Sequence, residues 1–177
     1  MGKKLVLMSR YDGKKYDAKL FLWVGSALDV KDWTHMRNLI EQQCERKQGK
    51  LVPTISQINL YAHGGEGATA GLWVGDDFIS EQNSETYGRT LRGLRGCFTK
   101  DAVFVFDVCA LGFSGKILKD MANGLQIPVR GYRDIQYSNW VSPKGEGPSR
   151  LCKPGGECTF ESKDDWFDGE GRPIIKK

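Results

Sequence analysis

The segment Ala102-Val103-Phe104-Val105-Phe106 is the clearest strand in the sequence, and Asp107-Val108-Cys109 follows it directly. All five of its side chains are apolar, which is typical of a strand buried on both faces in the centre of a parallel sheet. A second segment, Ile55 to Ala62, has a similar apolar and β-branched character, and it runs directly into His63-Gly64-Gly65. The two segments therefore predict buried strands that each end in a polar, glycine-containing loop.

Further strands and helices alternate along the chain. Strands are predicted at Lys4 to Met8, Lys19 to Val24, Gly71 to Val74 and Ile127 to Tyr132. Helices are predicted from Asp29 to Lys47, with Gly49 as its stop, from Ser84 to Leu94, with Ser84 as candidate N-cap, and from Phe113 to Asn123, with Gly124 as its stop. This alternation predicts an α/β fold, a mostly parallel sheet with helices on both faces.

The stretch from Ser138 to Lys177 differs from the rest of the chain. It holds most of the prolines and many glycines, and it lacks a helical or strand period. We therefore expect one domain over residues 1–137, with 138–177 as an irregular C-terminal extension that wraps this domain or lies over its edge.

Composition excludes several classes of partner. The 177 residues carry a net charge of +4 from 26 basic and 22 acidic side chains, and the basic residues are scattered, so no nucleic-acid partner is expected. The longest apolar run, near Val103 to Phe106, is far shorter than the ~20 residues of a membrane span. No secretory signal is evident at the N-terminus. We expect no membrane partner, and either a cytoplasmic location or export by a route without an N-terminal signal peptide.

The chain has five cysteines, namely Cys44, Cys97, Cys109, Cys152 and Cys158. Their odd number and irregular spacing argue against a disulfide scaffold and suit a reducing compartment. Cys152 and Cys158 either close a small loop or remain free thiols. Because no tight pair such as C-x-x-C is present, no metal site is expected. No other cofactor is expected either.

His63 and Cys109 are the candidate catalytic residues. Ligands of open parallel sheets bind beyond the carboxyl ends of the strands, and both residues stand directly after a predicted strand. The 46 positions from 63 to 109 accommodate a crossover between two neighbouring parallel strands, which would bring both side chains to one rim. A nearby imidazole holds a thiol as thiolate or relays its proton, and the helix predicted after Cys109 would lower the thiol pKa further.

Backbone amides complete this candidate site. Gly64 and Gly65 leave their amides unobstructed, so one of them, with the amide of Cys109, would bind a developing oxyanion. Ser114 and Gly115 keep the approach open. The other histidine, His35, lies in a predicted helix, where packing or solvent exposure explains it.

Two motifs resemble the signatures of caspase-like cysteine peptidases, the clan that includes caspases, metacaspases, clostripain and legumain. The first is Tyr61-Ala62-His63-Gly64-Gly65 and the second runs from Phe106 through Asp107-Val108-Cys109 to Ser114-Gly115. In that family the histidine precedes the cysteine, each follows a parallel strand, and about fifty residues separate them in caspases. The resemblance spans Ile55 to Tyr132. The four residues between Cys109 and Ser114 make a longer loop than metacaspases have.

The resemblance implies a caspase-like fold and a cysteine endopeptidase acting on a protein or peptide substrate. His63 would be the general acid/base, Cys109 the nucleophile, and the amides of Gly64 and Cys109 the oxyanion hole. Metacaspases and clostripain also carry an acid two residues before the nucleophile, where it helps to bind a basic side chain. Asp107 would accordingly bind substrate Arg or Lys before the cut, or instead cap a neighbouring loop by accepting backbone hydrogen bonds.

Two other functions remain open at this stage. One is a thiol amidase that acts on cell-wall peptides and is delivered as an effector. The other is an interaction module that keeps a caspase-like fold without catalysis. The intact His63 and Cys109 favour an enzyme over this module.

Overall fold

The computed structural model describes residues 2–9, 27–64, 71–108, 111–132 and 149–160. Twelve strands lie in these ranges: β1 (Lys3–Ser9), β2 (Leu28–Val30), β3 (Glu45–Lys47), β4 (Lys50–Val52), β5 (Ile55–Tyr61), β6 (His63–Gly64), β7 (Gly71–Val74), β8 (Asp77–Ser80), β9 (Phe98–Asp107), β10 (Val129–Tyr132), β11 (Ser149–Cys152) and β12 (Cys158–Phe160). The helices within them are α1 (Trp33–Gln43), α2 (Ser84–Thr90) and α3 (Gly115–Leu125), with 3-10 turns at Arg95–Cys97 and Leu111–Phe113. None of the described helices is long and apolar enough to span a membrane.

Seven strands form the main sheet, in the order β12-β11-β10-β9-β5-β1-β2. The five strands from β10 to β2 in that order are mutually parallel, and β11 and β12 extend the sheet in antiparallel fashion. The predicted mostly parallel α/β sheet is therefore confirmed. Its centre is the pair β5 and β9, the two apolar segments that stand out in the sequence.

Helix α2 packs against both α1 and α3. The indole of Trp33 on α1 meets the ring of Tyr87 on α2 edge-on, with 5.5 Å between ring centroids. Gly124 on α3 lies so close to Gly88 on α2 that a side chain at position 124 would overlap the Gly88 carbonyl. The described ranges do not confirm the predicted arrangement of helices on both faces of the sheet.

The two faces of the central strands differ in polarity. Along β5, Ile58 and Leu60 are fully buried, whereas the residues that alternate with them, Gln57, Asn59 and Tyr61, are half-buried. Since successive side chains of a strand point to opposite faces, the three polar residues share the face that the core does not use. This alternation places a polar row beside the end of β9.

The predicted first helix is wrong at both ends. Leu28–Val30 is a parallel strand beside β1, and the helix begins only after Asp32, whose side chain accepts a 2.7 Å hydrogen bond from the backbone N–H of His35. Beyond the helix, β3 and β4 form a hairpin whose turn holds Gln48 and Gly49, both with positive φ. Gly49 is therefore a hairpin residue and not a helix stop.

Two further helix boundaries differ from the prediction. Asn83, not Ser84, is the N-cap of α2, and the Ser84 hydroxyl instead hydrogen-bonds Asp120 of α3. Gly124 lies inside α3, because the close approach of α2 requires a residue without a side chain there, and the helix ends at left-handed Gln126. The predicted strand at Lys19 to Val24 lies outside the described residues.

The C-terminal extension is more regular than its composition predicts. Residues 149–160 form the hairpin β11–β12, and β11 pairs with β10, so this part continues the sheet at its edge. The prediction of a wholly irregular extension is therefore wrong for these residues. Pro154, Gly155 and Gly156 lie in the turn between β11 and β12.

Two disulfides contradict the expectation that this chain lacks a disulfide framework. Cys44 at the end of α1 bonds Cys97 before β9, and Cys152 bonds Cys158 within the β11–β12 hairpin. Both bonds join elements that other contacts already bring together. The irregular spacing of the cysteines in the sequence does not reveal this proximity. Of the five cysteines, Cys109 is the one that neither bond uses.

Candidate active site

The candidate site lies where β5 and β9 end side by side. These strands are parallel neighbours, and their last paired residues are Tyr61 and Asp107. The prediction that His63 and Cys109 follow two neighbouring parallel strands is therefore confirmed for the strands themselves. Cys109 and Gly65 lie outside the described residues, whereas His63, Gly64 and Asp107 lie within them.

His63 begins a second, smaller sheet. In its three strands, β6-β7-β8, His63 pairs with Trp73 and Gly64 pairs with Leu72 in antiparallel register. The His63 side chain is exposed, and it shares a face with Trp73 because directly opposed residues of antiparallel strands project to the same side. Trp73 in turn packs on Phe78 of β8, with ring centroids 4.7 Å apart. A strand pairing thus holds a histidine that the sequence assigns to a loop.

Buried polar contacts fix this small sheet to the main one. The hydroxyl of Ser9, at the end of β1, donates to the Trp73 carbonyl at 3.2 Å and accepts from the Gly75 N–H at 2.7 Å. The carboxylate of Asp77 accepts from the Trp33 N–H at 2.9 Å and from the Tyr87 hydroxyl at 3.1 Å. The strand opposite His63 is therefore held from both the sheet and the helices.

Asp107 is a buried carboxyl at the end of β9, and its side chain is 5% exposed. Its Oδ2 accepts a 3.2 Å hydrogen bond from Asn59, which in turn accepts a 2.6 Å hydrogen bond from Gln57. Tyr61 also hydrogen-bonds Asp107. The described partners of this carboxyl are thus side chains of β5, and loop capping through backbone groups remains an untested alternative.

Burial perturbs the ionisation of this pair. Burial raises the pKa of Asp107 to about 6, although the hydrogen bonds from Asn59 and Tyr61 act in the opposite direction. Burial and the neighbouring Asp107 charge also raise the pKa of Tyr61. Burial disfavours the ionised form of a carboxyl, so a cation that contacts the carboxylate stabilises that form. This makes Asp107 suited to binding a basic group.

The loop that carries Cys109 ends in a compact turn. The 3-10 turn Leu111–Phe113 precedes Ser114, whose hydroxyl caps α3 by accepting from the Ile117 N–H at 3.2 Å. Because α3 begins at Gly115, six positions after Cys109, its dipole supports a thiolate less than the sequence predicts, since the effect fades within the first turn.

Two side chains that sequence reasoning missed hold the end of this loop. Glu81 accepts a 2.6 Å hydrogen bond from the Ser114 hydroxyl, and Arg150 donates a 3.1 Å hydrogen bond to the Phe113 carbonyl. Glu81 follows β8 and Arg150 lies in β11, so both contacts are long-range and no local pattern signals them. His35, by contrast, has a local role, since its Nδ1 accepts from the Lys31 N–H at 3.2 Å at the start of α1.

The structure thus brings His63, Gly64 and Asp107 to one edge of the sheet, beside the small sheet of β6, β7 and β8. No cluster of three or more potential metal ligands occurs in the parts of the chain that the structure describes. Comparison with protein-family models, with curated proteins and with solved structures finds no match for this chain.

Proposed function

We propose that this chain is a cysteine endopeptidase of the caspase-like type, with His63 as general acid/base and Cys109 as nucleophile. The observation that carries the proposal is the pairing of Tyr61 with Asp107 at the ends of two neighbouring parallel strands. His63 stands two residues after Tyr61, and Cys109 stands two residues after Asp107. Since two residues reach no more than about 7 Å, this spacing supports a shared edge of the sheet for the two proposed catalytic residues.

The proposed reaction needs one thiol, one imidazole and two amides. His63 takes the proton of Cys109, the thiolate attacks the scissile carbonyl, and His63 then protonates the departing amine. Water activated by the same imidazole hydrolyses the acyl-enzyme. The amides of Gly64 and Cys109 stabilise the oxyanion, and a glycine leaves the substrate carbonyl unhindered at that position.

Asp107 supports a preference for Arg or Lys before the scissile bond. The carboxyl is buried at the correct edge, and Asn59 and Tyr61 orient it by donating hydrogen bonds. A substrate guanidinium or ammonium would pair with the carboxylate and offset its desolvation. An uncharged substrate side chain would leave that charge uncompensated.

The two disulfides favour a second candidate among enzymes with the same dyad. Disulfides persist mainly in oxidising compartments, so the pairs Cys44–Cys97 and Cys152–Cys158 support export over a cytoplasmic location. An exported thiol amidase, acting as an effector on cell-wall peptides, would suit such a compartment. It differs from the endopeptidase in substrate and not in chemistry.

A paired substrate screen tests the proposal. The protein is incubated with a diverse peptide library and, separately, with purified cell-wall peptides, and the products are identified by mass spectrometry. Cuts after Arg or Lys in the library are the expected result. Products from the cell-wall peptides alone would favour the amidase, and absence of products from both would contradict hydrolase function.

A further inference from the structure

The loop that carries Cys109 is tied at its end to two distant segments. Ser114, only 1% exposed, donates to Glu81 at 2.6 Å, and the carbonyl of its neighbour Phe113 accepts from Nη1 of Arg150 at 3.1 Å. These partners lie 33 and 37 residues away along the chain. The end of the loop is therefore fixed by contacts from outside the β9–α3 unit.

Arg150 is itself held in place by the C-terminal hairpin. It lies opposite Phe160 in the β11–β12 pairing, with its guanidinium carbon 4.4 Å from the centroid of that ring. The Cys152–Cys158 disulfide closes the same hairpin. Gly115 leaves room for the guanidinium, since a Cβ there would lie 2.7 Å from Nη1. The hairpin thus presents a half-buried cation to the start of α3.

We propose that Arg150 is a positioning residue for the nucleophile loop, the connection between β9 and α3 that carries Cys109. This inference rests on the proposed function. Its hydrogen bond to Phe113 fixes the chain four residues after Cys109 and so sets the approach of the thiol to His63. A cationic donor makes a stronger hydrogen bond than a neutral one. A displacement of about 1 Å at a reacting group costs about a hundredfold in rate, so even a partial release of the loop is measurable.

The test compares Arg150→Ala and Arg150→Lys with wild type on one Arg-containing peptide. The readouts are kcat, KM and the pH dependence of Cys109 alkylation by iodoacetamide, measured with the disulfides intact. Thr159→Ala is the matched control, because Thr159 lies in the same hairpin and its described contact is the Leu151 carbonyl. Circular dichroism and the melting temperature report on folding of each variant.

We expect Arg150→Ala to lower kcat about tenfold with KM within about twofold of wild type, and to raise the apparent thiol pKa of Cys109 by about one unit. The kcat of Arg150→Lys should be at least about threefold higher than that of Arg150→Ala, because an ammonium donates to the same carbonyl. Thr159→Ala should match wild type.

Unchanged kcat and alkylation profile in folded Arg150→Ala, while wild type cleaves, would overturn this inference alone. The inference would also be overturned if Thr159→Ala lost as much kcat as Arg150→Ala, or if the loss of kcat only followed a lower melting temperature. A wild-type protein that neither cleaves peptides nor shows His63-dependent alkylation would overturn the proposed function and this inference with it.

Discussion

Tyr61 lies directly opposite Asp107 in the register of β5 and β9, and the two side chains are hydrogen-bonded. The pairing sets both strand ends at the same level, so the residues that follow, His63 and Cys109, start from neighbouring positions. It also buries a carboxyl two residues before the proposed nucleophile. The proposed dyad and the proposed substrate preference therefore depend on the same feature of the sheet.

The preference for basic substrates should depend on pH. Burial raises the pKa of Asp107 to about 6, and only the ionised form above that pH attracts a guanidinium. We expect the ratio of kcat/KM for an Arg peptide to that for the matching citrulline peptide to rise severalfold, up to about tenfold, from pH 5 to pH 7.5. Taking the ratio cancels any pH dependence that the two peptides share. In Asp107→Asn the ratio should be low and flat, and an equal loss on both peptides would contradict the assignment of Asp107.

The same carboxyl should leave a signature in stability. Its pKa is about 6 in the folded chain against the ordinary 3.8 of an aspartate side chain, so the folded state holds the proton more tightly. The stabilisation is complete below about pH 4 and is lost as the pH rises through 6. Between pH 4 and pH 7, wild type should therefore lose about 2 kcal/mol in free energy of unfolding relative to Asp107→Asn. Urea unfolding at several pH values measures it, and a pH-independent difference would count against a raised pKa.

Alkylation without reduction should modify Cys109 alone. The other four cysteines are paired with each other, so they offer no thiol to iodoacetamide. We expect one label per chain at neutral pH, and a rate about tenfold lower in His63→Ala because an imidazole no longer favours the thiolate. His35→Ala is the control, since His35 acts locally at the start of α1. Peptide mapping by mass spectrometry identifies the labelled cysteine. An equal alkylation rate in His63→Ala would show that the His63 imidazole does not activate the Cys109 thiol.

The contact between α2 and α3 should not tolerate a side chain at position 124. A Cβ at Gly124 would overlap the Gly88 carbonyl, so Gly124→Ala forces the two helices apart. We expect a loss of about 2 kcal/mol in the free energy of unfolding despite the better helix propensity of alanine. Gly156→Ala is a matched control, because its nearest described neighbour would lie 3.6 Å away, at ordinary contact distance. Similar stability of the two variants would contradict the tight helix crossing.

The central strands could be predicted because the pattern of their apolar residues is typical of strands. The Ala102 segment is apolar throughout and needs burial on both faces, whereas the Ile55 segment alternates buried and half-buried residues. The first helix was predicted too long because Val30 also fits a helical period, and the side-chain cap from Asp32 decides its start. Periodicity alone does not separate a short strand from a helix end.

Long-range contacts account for what the sequence could not predict. β11 and β12 are short, and they exist through pairing with β10 and the Cys152–Cys158 bond. The contacts of Glu81 with Ser114 and of Arg150 with Phe113 likewise join segments more than thirty residues apart. The ends of β5 and β9 could be predicted for the opposite reason, since the local sequence specifies both strands, and the dyad placed after them stays a prediction.

The most direct test of the central claim is the turnover of an Arg-containing peptide by wild type, His63→Ala and Cys109→Ala. His63 is exposed in a two-residue strand, so its substitution should leave the fold and the melting temperature nearly unchanged. The account predicts that each single variant loses at least about a thousandfold in kcat and that the double variant loses no more, because a nucleophile and its base act as a unit. Turnover within about tenfold of wild type in either folded variant would contradict a His63–Cys109 dyad.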